Sequence, residues 1–191
     1  MTEILVAGAT GRIGSAVVAE LISRGIQPRV LVRDANRVPE SWQGRVTSFV
    51  GDLDDPPSLA SPVEGLDSLL IVSPVNPAQR QQQGNLAGAA AKTGSPTIVK
   101  ISGLATSLNS SVDSGRWHAE TEADIQALGL PYTFLRPYFF MQNLGFSIPS
   151  ARRDGVIRSG VGDADIAMID VEDIAGVCAQ LLTGEVRREN E

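Results

Sequence analysis

Cysteine and histidine are almost missing from this chain: Cys178 and His118 are the single examples of each among 191 residues. One cysteine excludes an internal disulfide and any cysteine-rich metal site. One histidine excludes a centre built on several imidazoles, so no bound metal is expected. Long apolar runs are missing too, and the N-terminus lacks a charged, apolar, small-residue leader. A soluble, cytoplasmic protein without membrane contact is therefore expected. Basic charge is in deficit. With a net charge of −6 the chain lacks the basic face of a direct nucleic-acid binder.

What is present is an ordinary globular composition, long enough for one domain. Short apolar runs alternate with helical patterns. EILVAG (3–8), PRVLVR (28–33), VTSFVG (46–51), DSLLIV (67–72), PTIVKIS (96–102) and PYTFLR (131–136) read as strands. They are near-continuously apolar, as strands covered on both faces should be. Helices are expected at about 12–24, 56–61, 77–93, 116–129 and 171–183. The last has a clear buried stripe through Ile174, Cys178 and Leu181, with Asp170 placed to cap it and Gly184 to stop it. Such alternation predicts an α/β fold, a doubly wound parallel sheet of strand order 3-2-1-4-5-6 with helices on both faces. Residues 1–137 form its core, 138–170 a small irregular portion and 171–183 a closing helix. The Ser- and Gly-rich stretch 102–115 reads as a long loop or flexible lid, and GVIRSG and ADIAMI as short extra strands. The tail EVRRENE looks frayed.

VAGATGRIG (6–14) joins the first strand to the first helix. In this strand–GxxGxxG–helix setting Gly8 permits a tight exit from the strand. Gly11 lets a ligand touch backbone, and Gly14 brings helix against sheet. Unpaired amides at the helix start carry partial positive charge, so Gly8, Thr10, Gly11, Arg12, Ile13 and Gly14 are candidates to hold a pyrophosphate. The bland alternative is a tight packing turn; the strand-to-helix context favours dinucleotide binding.

The second strand ends in LVRDANR. An acidic residue there grips ribose hydroxyls, whereas arginine suits a 2′-phosphate. Arg33 precedes Asp34, and Arg12 and Arg37 add positive charge, so NADP is favoured over NAD with Arg33 as the phosphate clamp. Asp52 and Leu53, in GDLDD, are placed to meet the adenine, while Asp55 with Pro56 would cap the next helix. Val72, Ser73, Pro74 and Ser102 end the fourth and fifth strands and should line the nicotinamide side.

Taken together, VAGATGRIG, VRD, GDLDD, the NLAGAAAKTG–IVKISG pairing, WHAETEADIQALGLPYTFLRPYFFMQN and MIDVEDIAGV resemble the NmrA-like branch of the atypical short-chain dehydrogenase/reductases, across essentially the whole chain. That resemblance implies a Rossmann-type fold and either of two functions. One is hydride transfer from NADPH to a quinone or similar small acceptor; the other is a non-catalytic NADP(H) sensor acting through a protein partner.

Two departures bear on the chemistry. Where ordinary short-chain dehydrogenases carry YxxxK, this helix has His118 and Glu122, one turn apart and able to pair. His118 is the one candidate proton donor; alternatively the pair only steadies the helix. Relatives usually continue past the DVEDIA helix, so the cleft is expected either to be completed by a homodimer or protein partner or to be shallow and open. Tyr138, Phe139, Met141 and Asn143, with Phe140, are candidates to stack on or hold a flat acceptor, or else to plug the core.

Overall fold

The computed structural model describes residues 2–157, 162, 164–186 and 190. Its elements run β1 (Ile4–Ala7), α1 (Arg12–Ser23), β2 (Arg29–Val32), β3 (Thr47–Val50), β4 (Ser68–Ile71), α2 (Gln79–Thr93), β5 (Thr97–Ile101) and α3 (Asp113–Ala127). They continue with β6 (Tyr132–Leu135), β7 (Phe139–Phe140), α4 (Ile148–Asp154), β8 (Met168–Ile169) and α5 (Val171–Thr183).

Side chains alternate across a strand, so each apolar run supplies two faces. Ile4 and Val6 join Val30, Leu70 and Val99 beneath α1 and α5, against Val17, Leu21, Ile174 and Cys178. Leu5 and Ala7 join Leu69, Ile71 and Ile98 on the other side, against Leu86 and Ala90 of α2 and Ile125 of α3. Each fully buried Leu or Ile removes enough apolar surface from water to stabilise the fold by about 2 kcal/mol. Double coverage explains the absence of polar alternation in these strands.

The six main strands pair in parallel in the order β3-β2-β1-β4-β5-β6, as the alternation predicts. In register, Ala7 lies beside Leu31 and Leu31 beside Phe49, so the carboxyl ends form one rim. Beyond the strands at that rim come Gly8, Arg33, Gly51, Val72, Ser102 and Arg136. Strand β3 is the exception to double coverage, an edge strand with Thr47, Ser48 and Val50 exposed.

Several expectations need correction. Residues 56–61 do not form an α-helix; the structure has one 3-10 turn, Pro56–Leu59, because Pro62 has no amide to continue a helix and disfavours helical backbone at Ser61. Asp55 does not cap it by a side-chain bond. Helix α3 begins at Asp113 rather than at 116, and residues 102–112 form the expected long loop, which folds onto the start of that helix. A Cβ on Gly115 would stand 2.4 Å from Ser110 Oγ and 2.6 Å from the Ala105 carbonyl, so only glycine lets the loop fold onto the helix there. In ADIAMI, Met168–Ile169 is a strand that pairs in parallel with β7, outside the main sheet. Residues 155–157 of GVIRSG are not a strand, and 158–160 lie outside the described residues, as do 187–189 and 191 of the tail.

The caps of α5 are as read: Asp170 accepts from the Glu172 amide and Gly184 ends the helix at φ +75°. Among the described residues no helix is long and apolar enough to cross a membrane.

Candidate functional site

The glycine turn is built around backbone contact. Gly8 sits at φ +72°, and a Cβ there would lie 2.3 Å from the Val72 carbonyl oxygen. A Cβ on Gly14 would lie 2.1 Å from the Gly8 carbonyl oxygen, so its role is the close seating of helix on turn. Gly11 precedes α1 without a side-chain cap. The first-turn amides of α1 therefore have neither an intrahelical acceptor nor a capping oxygen, and they are free for an anion. A pyrophosphate fits this cradle, which any larger residue at Gly8 or Gly14 would destroy.

A cavity of about 670 Å³ opens at this turn along the carboxyl rim of the sheet. Of the residues singled out from the sequence, Gly8, Thr10, Gly11, Arg12, Ile13, Arg33, Asp52, Leu53, Val72, Ser73, Pro74 and Asn143 line it. Gly14, Ser102, His118, Tyr138, Phe139 and Met141 do not. Gly14 packs, as described. Phe139 lies in β7 beside Met168, while Tyr138 and Met141 are exposed away from the cavity. Phe140 is the aromatic that reaches the lining.

Arg33 and Asp34 separate cleanly. The Asp34 carboxylate accepts from the Asn36 amide at 2.9 Å, capping a 3-10 turn, and does not line the cavity; Arg33 does. The Asp52 carboxylate accepts from the Asp54 amide at 3.0 Å, and the Leu53 carbonyl accepts from Asn85 at 2.8 Å, so both ends of that loop are fixed. At the opposite wall Arg12 donates to Asn143 at 2.7 Å and its guanidinium lies over the Phe146 ring, 5.9 Å from the centroid. This contact ties the glycine turn to the irregular segment that follows β7.

Behind the rim, under β5, is a buried polar cluster. Lys100 is wholly enclosed, and its Nζ lies 2.8 Å from His118 Nδ1. Gln79 Nε2 approaches the same Nδ1 at 2.9 Å. Glu122 does not pair with His118 as the helical spacing suggested. It takes Arg136 instead, at 2.5 and 3.2 Å, and accepts from Ser102 at 2.6 Å. A permanently charged guanidinium is the better partner for a buried carboxylate than an imidazole that is neutral here. Burial, then the neighbouring Lys100, pushes His118 down to about 4; burial pushes Lys100 down to about 8. Near neutral pH His118 is thus an uncharged ring. Lys100, Gln79 and Arg136 were not among the sequence candidates. A lysine in the middle of an apolar strand, IVKIS, was the available signal, because lysine is buried only with a partner.

Comparison with known proteins agrees with this geometry. The chain is 37% identical over 180 residues to the NAD(P)H azoreductase of Xenophilus azovorans, covering 94% of this chain and 63% of that protein. Against quinone oxidoreductase 2 of Escherichia coli it is 28% identical over 182 residues, covering 94% of this chain and 64% of that one. The crystal structure of Citrobacter sp. triphenylmethane reductase complexed with NADP(H) superposes with TM-score 0.87 at 26% identity, over 98% of this chain and 67% of that chain. The Escherichia coli quinone oxidoreductase complexed with NADPH gives TM-score 0.87 at 28% identity, over 97% and 66%. The chain thus spans a little under two thirds of the length of these curated relatives. A family profile described as NAD(P)H-binding matches residues 8–185, from the first glycine of the turn to just past α5. With the resemblance to the NmrA-like reductases upheld by these relatives, the chain belongs to the NAD(P)H-binding family.

Proposed function

We propose that this chain binds NADPH in preference to NADH and that it reduces a quinone or a similar flat, conjugated small molecule. The observation that carries the reading is the extent of one cavity, from Arg33 past the glycine turn to Phe140 and Asn143. Its volume of about 670 Å³ falls in the range of small-molecule sites. Arg33 is the lining cation at the ribose end, with Asp34 engaged elsewhere, which suits a 2′-phosphate. Asp52, Leu53, Val72, Ser73 and Pro74 also line the cavity; in this reading the first two meet the adenine and the other three the nicotinamide.

The reduced nicotinamide, when bound, supplies the hydride. This chain's residues do the rest: the α1 amides hold the phosphates, Phe140 and Asn143 shape the acceptor side, and His118 provides the proton that the reduced acceptor takes up. His118 lies behind the lining, with its Cδ2 edge toward Gly103 at the carboxyl end of β5, 3.7 Å from where a Cβ would be. The names of the azoreductase and quinone reductase relatives support a flat acceptor. A second copy of the chain, or a protein partner, would complete the open side of the cleft.

The test follows NADPH consumption with a panel of quinones and azo dyes. Turnover with flat conjugated acceptors, faster with NADPH than NADH, is expected. Tight NADPH binding without turnover on any acceptor would defeat this reading and favour a coenzyme sensor.

A further inference from the structure

The Lys100–His118 pair lies in the buried polar cluster under β5, behind the cavity. A lysine with no exposed surface is held in β5, in register between Ile71 of β4 and Phe134 of β6. Its Nζ reaches His118 Nδ1 at 2.8 Å and the Ile101 carbonyl at a longer 3.4 Å. An imidazole nitrogen that accepts from an ammonium has its lone pair there, so the ring proton is on the other nitrogen, Nε2. Among the described residues Nε2 has no hydrogen-bond partner, and the neighbouring ring carbon Cδ2 lies against Gly103, just beyond the carboxyl end of β5, the side on which ligands of parallel sheets bind.

Gln79 meets the same ring nitrogen. Gln79 is fully buried, its Nε2 lies 2.9 Å from the same Nδ1, and its Oε1 has no partner. One lone pair cannot accept well from two donors. Turning the amide would place the unpartnered oxygen on Nδ1, an arrangement that is favourable only when Nδ1 carries a proton. The cluster therefore provides for both forms of the ring. Lys100 satisfies the bare Nδ1 and Gln79 Oε1 the protonated one.

We propose that Lys100 is the positioning residue of His118, fixing its Nε2–H tautomer and refilling the ring with a proton through Nδ1. The proposal rests on the reductase reading for its catalytic meaning, although the tautomer it sets is a property of the chain alone. The transfers balance. Nε2–H breaks as an O–H or N–H bond forms on the reduced acceptor. An Nζ–H bond of Lys100 breaks as Nδ1–H forms, and Gln79 Oε1 then accepts that new N–H. Between turnovers Nε2 takes a proton from water as Nδ1–H returns its proton to the Lys100 amine, which restores both the ammonium and the Nε2–H tautomer. The charged groups that face the pair are Glu122 of α3, which favours the charged lysine, and Arg136 beyond β6, which disfavours it. The lowering of Lys100 to about 8 is consistent with an ammonium that gives up a proton readily.

Because the chain has one histidine, its imidazole gives a single pair of ring nitrogen signals in a ¹⁵N-labelled sample. The expected spectrum near neutral pH is that of the neutral Nε2–H tautomer. Lys100→Met should release the ring to both tautomers and raise its titration midpoint, since a neighbouring cation is removed. Lys100→Gln keeps a donor for Nδ1 without a proton to hand over. It should retain the tautomer yet lower kcat about 100-fold, with the KM for NADPH unchanged. A wild-type ring protonated at Nδ1, or an unaltered ring in Lys100→Met, overturns the proposal; if Lys100→Met does not fold, the Lys100→Gln kinetics decide it, undiminished kcat overturning it. If the wild-type protein reduces no acceptor, the reductase reading falls, and the ring spectra of the wild type and Lys100→Met still decide whether Lys100 positions His118.

Discussion

Gly14 and Arg33 do opposite things for the same ligand. Gly14 contributes by being small, so that α1 can seat on the Gly8 carbonyl. In Gly14→Ala the new methyl would have to displace backbone. Crowding of this kind costs about 1–3 kcal/mol, and urea unfolding should show that loss together with the disappearance of stabilisation by added NADPH. Arg33 contributes a charge. Arg33→Ala should weaken NADP by about tenfold or more while leaving NAD nearly unchanged, since a charge-assisted contact to phosphate is worth about 1.5–3 kcal/mol. Isothermal titration with both nucleotides checks this, and equal weakening of the two would contradict the assignment. Cys178 shows how burial silences a residue. Enclosed on the inner face of α5, its thiol is pushed up to about 12 by desolvation, so a thiol reagent should label it only as fast as the protein unfolds.

Among the elements, α5 shows most plainly what a sequence can reveal. Its buried stripe, its Asp170 cap and its Gly184 stop were all readable, because each is a local rule acting within a few residues. The cap does more than the local rule states. Asp170 also accepts from Gln142 at 2.8 Å, and Gln142 in turn accepts from the Val171 amide, so the helix start holds the segment after β7. Asp170→Ala should therefore cost more than the roughly 1 kcal/mol of an ordinary cap, and hydrogen exchange should speed up in residues 141–147 as well as in α5. The 3-10 turn at Pro56–Leu59 and the early start of α3 were not readable. The first is decided by Pro62, beyond the turn, which cannot continue a helix, and the second by a loop that packs on Gly115 from residues earlier in the chain. The phosphate turn was legible because its glycines, Gly8, Gly11 and Gly14, lie close together in sequence. The Glu122–Arg136 and Lys100–His118 pairs were not, because each joins residues of two separate elements that only the folded sheet brings together.

For the molecule as a whole, the buried cluster ties stability to pH. The folded state holds His118 near 4, well below the ordinary histidine value of 6.5. Unfolded chains therefore bind more protons as pH drops through that interval, and stability is lost as pH falls from about 6.5 toward 4. Lys100, lowered from 10.5 to about 8, acts the same way higher up: stability rises as pH climbs from 8 to 10.5, where the unfolded lysine still holds its proton. Each contribution is on the order of a few kcal/mol at most. Urea titrations across the pH range should show both slopes, and Lys100→Met should remove the alkaline one.

The first helix leans on one made far downstream: Val17 and Leu21 of α1 share their core with Ile174, Cys178 and Leu182 of α5. A nascent chain that has emerged only as far as β8 holds every residue of the phosphate cradle and lacks the wall that keeps it in place. Coenzyme capture should then wait until α5 has been made and has folded against α1.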